Sequence, residues 1–180
     1  GDNNQMTKIT NTKISYLNGY NNNKNFEHLI MGAINFYETS VEINNVDFDN
    51  IFSEDAINII RSNFEINNSK YTNIFSDAID IDFSDGKIES VTFKMVANDA
   101  MDFSGSNVDI YDSYFDNVND KLISGGERSN LKISKVKAVN SKSGIISKDG
   151  SKVYSENIFF ENVKIPFAAY QKKKEYSYGL

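Results

Sequence analysis

With 180 residues, 39% of them hydrophobic, the chain is long enough for one domain with a sizeable core but is polar for a compact globule. A net charge of −6 and a pI near 4.8 exclude the basic footprint that nucleic acid requires. The lack of cysteine excludes a disulfide framework and a thiolate metal centre, and no stretch approaches the roughly 18 apolar residues of a membrane helix.

At the N-terminal end, Ile9, Asn11, Ile14 and Leu17 match Ile43, Asn45, Phe48 and Ile51 at a constant offset of 34. That offset is one repeat plus an insertion, which falls most simply in the segment 18–32. His28, the only histidine, lies there, and with no second histidine it supports neither a metal site nor a histidine-based triad. The unit AINFYETSVEINNVDFDNIFSED (33–55) follows, with one extra residue placed at Thr39. Three copies of 22 residues come next, opening at Ala56, Ala78 and Ala100, and two more open at Leu122 and Gly144. Residues 166–180, with Lys172, Lys173 and Lys174, are read as a C-terminal cap with a solvated charge run.

Self-similarity at this fixed period means a stacked repeat architecture. Within each unit the apolar residues alternate in short runs broken by Asn, Ser, Asp or Gly, as in Val41, Ile43, Val46, Phe48 and Ile51 around Asn44-Asn45. Such runs are half-buried strands joined by tight turns. The expected fold is all-β: one domain, 1–180, a single-stranded parallel β-helix with about 22 residues per coil and roughly seven to eight coils. Its columns are legible. Phe48, Tyr71, Phe93, Phe115, Ala138 and Phe160 form an inward aromatic stack, and Ile51, Ile74, Val96, Val118, Ser141 and Val163 form a second inward column. Asn50, Asn73, Met95, Asn117, Asn140 and Asn162 form a structural ladder, because asparagine tolerates left-handed backbone and can pass amide hydrogen bonds along a stack.

The coil size, aromatic stack and asparagine ladder resemble the right-handed parallel β-helix of the pectate-lyase-like superfamily. More narrowly, GAINFYETSVEINN, EDAINIIRSNF, SDAIDIDFSDGKI, NDAMDFSGSNV, DKLISGGERSN, GIISKDGSKV and AYQKKKEY are similar to strings in a group of bacterial exported β-helix proteins. That group is loosely associated with spore-coat CotH-type kinase domains. The resemblance covers almost all of the chain from Gly32 onward. It implies the right-handed sense, an exported location (periplasmic, cell-surface or secreted) with the export signal outside this sequence, and membership of a longer protein. No known reaction comes with it.

The candidate site is an acidic stripe. Asp77 and Asp99 share one column, with Asp55 before them and Lys121 after; Asn58, Asp80, Asp102 and Ser124 share another, and Asp82 adds a carboxylate. Parallel stacking places Asp80 and Asp102 about 4.8 Å apart, where like charges repel unless offset. A hard cation such as Ca²⁺ at Asp80 and Asp102 would do so, as would Lys121 or Arg128. Three readings stay open: solvated or turn-capping aspartates, a cation- or sugar-binding face formed by Asp77, Asp80, Asp82, Asp99 and Asp102, and a catalytic face. For catalysis the ingredients are Asp80, Asp82 and Asp102 as acid and base, with Lys121, Arg128 or Lys148 as cations. Gly125-Gly126 reads as a turn with unusual backbone angles, and Glu127 with Arg128 as a surface pair. The expected function is a non-catalytic exported module that binds a polysaccharide or a cell-surface partner through this face. The alternatives are a polysaccharide lyase or glycoside hydrolase, and a structural spacer. Neither nucleic acid nor membrane insertion is expected.

Overall fold

The computed structural model describes residues 6–18 and 32–180, all in strands, turns and coil with no helix among them. In chain order the strands are β1 (Thr7–Ser15), β2 (Gly32–Tyr37), β3 (Val41–Ile51), β4 (Asp55–Ile60), β5 (Asn63–Asn67), β6 (Lys70–Ile74) and β7 (Asp77–Asp82). Then come β8 (Asp85–Glu89), β9 (Thr92–Val96), β10 (Met101–Ser104), β11 (Asn107–Val118), β12 (Lys121–Gly126), β13 (Asn130–Lys148) and β14 (Lys152–Tyr170).

Every pairing among them is parallel, and the partners lie 22 or 23 residues apart except where β1 meets β3 at an offset of 34. The chain therefore winds as a β-solenoid of about six turns with three faces, the shorter N-terminal segment adding a partial coil. The first face stacks β2, β4, β7, β10, β12 and the last parts of β13 and β14. The second stacks the first parts of β1, β3, β11, β13 and β14 with β5 and β8. The third stacks the later parts of those long strands with β6 and β9.

The corners explain the asparagines. Three columns of residues hold positive φ, one per corner, and the third comprises Asn50, Asn73, Met95, Asn117, Asn140 and Asn162 with φ between 51° and 57°. Backbone conformation thus selects asparagine there. The side chains point outward, not into the core, and a direct amide bond along this column joins Asn162 Nδ2 to Asn140 Oδ1 at 3.0 Å. Asn73 and Asn140 donate instead to Asp49 and Asp116 of the preceding coil, at 3.2 and 3.3 Å.

Inside, Phe48, Tyr71, Phe93 and Phe115 stack face to face, with ring centroids 4.7, 5.1 and 5.0 Å apart. Each such pair contributes about 0.5–1.5 kcal/mol beyond its burial. Packing between coils is also fitted by size: a Cβ on Gly86 would come within 2.6 Å of the Phe64 ring, so glycine leaves the space the phenylalanine fills.

A buried serine ladder runs along the first corner. The N–H groups of Thr39, Ser62, Ser84, Ser106 and Ser129 donate to the hydroxyls of Ser62, Ser84, Ser106, Ser129 and Ser151, at 3.0–3.2 Å. The hydroxyls of Ser62, Ser84, Ser106 and Ser129 each return the proton to a carbonyl of their own corner, for example Ser84 to Asp82 at 2.8 Å. The ladder satisfies amides that a turn buries out of reach of the sheet.

Two details of the sequence reading need correction. The extra residue of the 33–55 unit is not Thr39, because Gly32↔Asp55, Val41↔Phe64 and Ile51↔Ile74 all differ by 23 while Asp55↔Asp77 differs by 22. It sits in the corner 52–54, where buried Ser53 bonds the Asp55 carbonyl. The C-terminal cap begins later than residue 166, since β14 runs through Tyr170. The tail then turns back: Asp149 Oδ1 accepts the N–H groups of Lys172 and Lys173, both at 2.7 Å, and Leu180 exchanges backbone bonds with Ser151 and Val153. Of the insertion 18–32, residues 19–31, His28 among them, lie outside the described residues.

Candidate functional site

On the first face the inward residues of β7 are Ile79 and Ile81, both buried, so Asp80 and Asp82 project outward as the alternation requires. Parallel register sets Asp80 beside Asn58 on one side and Asp102 on the other, with Ser124 beyond. Asn58 Nδ2 donates to Asp80 Oδ2 at 2.9 Å. Asp102 Oδ1 accepts the Phe103 N–H at 3.1 Å and meets Lys148 Nζ at 3.4 Å. Lys148 stands 46 residues further along the chain, and its stem is buried as it crosses Gly126. A Cβ at Gly126 would approach Lys148 Cε to 2.8 Å, so glycine clears the way for the lysine.

The neighbouring column does a different job. Asp77 Oδ1 accepts the N–H of Asp99 at 2.8 Å, and Asp99 Oδ1 accepts the N–H of Lys121 at 2.9 Å. These carboxylates cap the corner of the next coil, a structural duty. Lys121 Nζ reaches both oxygens of Asp99 at 3.1 Å and also binds Asp120, which Lys142 Nζ meets at 2.8 Å.

Burial shapes the electrostatics. Asp55 is 3% exposed, its Oδ2 has no partner, and burial with the charges of Asp77 and Glu54 pushes its carboxyl up to about 8. Burial lifts Asp99 to about 7, against the pull of Lys121. Burial together with Asp82, Asp55 and Asp102 holds Asp80 well above the usual carboxylate range. Asp77 and Asp82 are raised as well, first by burial, with Glu127 and Asp102 adding to Asp82. The face therefore combines carboxyls raised by burial at Asp80 and Asp55 with a lysine partner for Asp102.

The structure brings Asp80, Asp82 and Asp102 together, with Asp77 and Asp99 at the adjoining corner. Lys121 is committed to Asp99 and Asp120. Arg128 is not in the cluster; it is exposed, and its guanidinium lies 5.5 Å from the centre of the Tyr176 ring. The pair expected between Glu127 and Arg128 does not form, because Glu127 takes Lys173 of the C-terminal tail. Gly125 and Gly126 have no positive φ; the unusual angles belong to Glu127 (53°) and Arg128 (68°), and the glycines serve packing against Leu131 and Lys148. The cation that offsets Asp102 is Lys148. Among the described residues, no three His, Cys, Asp or Glu side chains converge in a way that could hold a metal ion, so Ca²⁺ at Asp80 and Asp102 would need ligands beyond side-chain carboxylates.

No protein-family model, curated protein or solved structure matches the chain. Among the described residues no helix is long and apolar enough to cross a membrane.

Proposed function

We propose that this solenoid is a non-catalytic, exported binding module that holds an extended polysaccharide along its axis through the acidic first face. The observation that carries the reading is the pair Asp80 and Asp102, half-buried on neighbouring coils in parallel register, with buried Asn58 and Ser124 on either side. Coils repeat about every 4.8 Å, a step comparable to the length of one sugar residue, so two successive sugars could meet Asp80 and Asp102. Asp80, raised by burial and by its acidic neighbours, and Asp102, 3.4 Å from Lys148 Nζ, together offer carboxyl groups that can hydrogen-bond to sugar hydroxyls. The resemblance to pectate-lyase-like β-helices and to exported bacterial β-helix proteins supports the same reading and its right-handed sense.

The enzyme alternative has one observation in its favour. A carboxyl held above its usual range beside a second carboxyl paired with a lysine resembles the two-carboxyl arrangement that glycoside hydrolases use. Against it, the cations beside the pair are committed to carboxylates, Lys121 to Asp99 and Lys148 to Asp102.

Affinity electrophoresis and calorimetry on neutral plant and bacterial polysaccharides test the proposal. The parent is expected to bind, and Asp80→Asn with Asp102→Asn is expected to weaken binding about tenfold while circular dichroism stays unchanged. Equal binding by parent and double variant would remove the acidic face from the site. New reducing ends or unsaturated ends released by the parent, and lost in Asp80→Asn, would replace the binding reading with catalysis. Adding Ca²⁺ in the same assay separates cation-assisted binding from direct hydrogen bonding.

A further inference from the structure

At one end of the stack β14 pairs with β13 alone, and at the other β1 pairs with β3 alone. Among the described residues no further strand covers either outer edge. The C-terminal tail bonds the β14 side only near the two ends of that strand, at Ser151, Val153 and Tyr170. The inward residues of both end coils stay partly open. Leu131, Val136 and Ala138 are buried, whereas their partners Val153, Ile158 and Phe160 are only half-buried, as are Ile9, Ile14 and Leu17 at the other end. An open edge of this kind is a template for another strand.

The two edges match one another. The column that holds Thr7 runs through Val41, Phe64, Gly86, Val108 and Leu131 to Val153. Laying Thr7–Ser15 of a second copy beside Val153–Glu161 in that register puts corner on corner, Asn11 with φ of 52° next to Asn157 with φ of 54°. It also puts Ile14 on Phe160 in the aromatic column. Charge follows the same register: Thr7–Ser15 carries Lys8 and Lys13 and no acid, while Val153–Glu161 carries Glu156 and Glu161 and no cation. Lys13 falls beside Phe159 and two places from Glu161. Both kinds of contact already exist in the molecule. Lys137, in the same column, holds its Nζ 5.5 Å from the centre of the Phe159 ring, and Lys13 reaches Asp49, two places along the facing strand, at 3.7 Å. The direction is shown as well. Leu180 donates its N–H to Ser151 at 2.8 Å and accepts that of Val153 at 2.9 Å, the two bonds of a parallel bridge, so this edge already takes on backbone in the parallel sense.

We propose that copies of this chain associate head to tail, with β1 of one copy adding as the next parallel strand beside β14 of another. Such a contact does not close on itself, so the product is a filament along the solenoid axis. Pairing of two β14 edges with each other is the poorer solution: it brings two copies of the same acidic stretch together and runs the strands antiparallel, so the left-handed corners no longer coincide. The contact lies at the ends of the solenoid and is independent of the acidic first face.

Sedimentation velocity of the 180-residue chain over a concentration series is the test. The parent is expected to form species larger than a dimer as concentration rises, and less of them at high salt. Glu156→Lys with Glu161→Lys is expected to weaken association about tenfold or more, and so is Lys8→Glu with Lys13→Glu. Mixing the two variants is expected to restore association, because each presents the charge that the other's altered edge requires. Lys8 and Lys13 also bond Glu42 and Asp49, so their reversal weakens β1 itself; the glutamate variant changes only exposed side chains outside any ion pair among the described residues, and it decides the matter alone. A parent that stays monomeric throughout, assembly that stops at a dimer, or association unchanged in the glutamate variant would each overturn the proposal.

Discussion

Among the residues from Asn50 to Asn162 in the third-corner column, Met95 alone is not asparagine, and it holds φ of 55° with half of its surface exposed; Tyr16 takes the same place in the N-terminal partial coil. A side chain without local hydrogen-bonding ability adopts that conformation at a cost of about 1–2 kcal/mol, which asparagine partly avoids. Met95→Asn is therefore expected to stabilise the fold by about 0.5–1 kcal/mol, read as a higher urea midpoint at unchanged slope. A lower midpoint would mean that Met95 contributes packing that the left-handed backbone does not outweigh. The same column shows what sequence can carry. A left-handed corner leaves a residue-type signature, so Asn50, Asn73, Asn117, Asn140 and Asn162 were readable as corners. Where each amide points was not readable, because Asp49 and Asp116 compete for it through side-chain geometry that no spacing encodes.

At the scale of strands and faces, alternation and period were enough to place inward from outward residues, and the aromatic stack lies where the alignment put it. Longer-range contacts were hidden. Lys148 reaches Asp102 across an intervening coil only because Gly126 leaves room, and Glu127 meets Lys173 only because the tail folds back. The serine ladder had a signal in the spacing of Ser62, Ser84, Ser106, Ser129 and Ser151, but buried serine looks like turn serine in a sequence. The cross-coil pair on the first face has a measurable weight. Lys148→Met leaves Asp102, about a quarter exposed, without its cation and is expected to cost about 1–3 kcal/mol. A double-mutant cycle with Asp102→Asn should recover part of that loss. Additive effects of the two substitutions would mean that the pair contributes nothing of its own.

The molecule as a whole is acidic, yet burial raises the carboxyls of Asp55 and Asp99, and this sets an uncommon dependence on pH. An unfolded aspartic acid releases its proton near pH 3.9, whereas Asp55 keeps its own to about 8 and Asp99 to about 7. Between those values the native state binds more protons than the unfolded state, so their contribution is complete below about pH 4 and fades as pH rises through 7 and 8. The melting temperature is expected to fall from pH 5 to pH 8.5, and Asp55→Asn, which needs no proton to stay neutral, is expected to flatten that fall. A melting temperature that climbs over this range in the parent would show that Asp55 ionises freely in the folded protein.

The constant register has one more consequence. Apart from the Lys148–Asp102 and Lys173–Glu127 ion pairs, each coil meets only the coil before and the coil after it, so the molecule behaves as a short spring of nearly equal links. Drawn out by its ends, it would give way one link at a time. Each link would pay out 22 or 23 residues, about 75 Å of extended chain, before the next took the load. A solenoid built this way absorbs a pull as a series of small yields rather than one break.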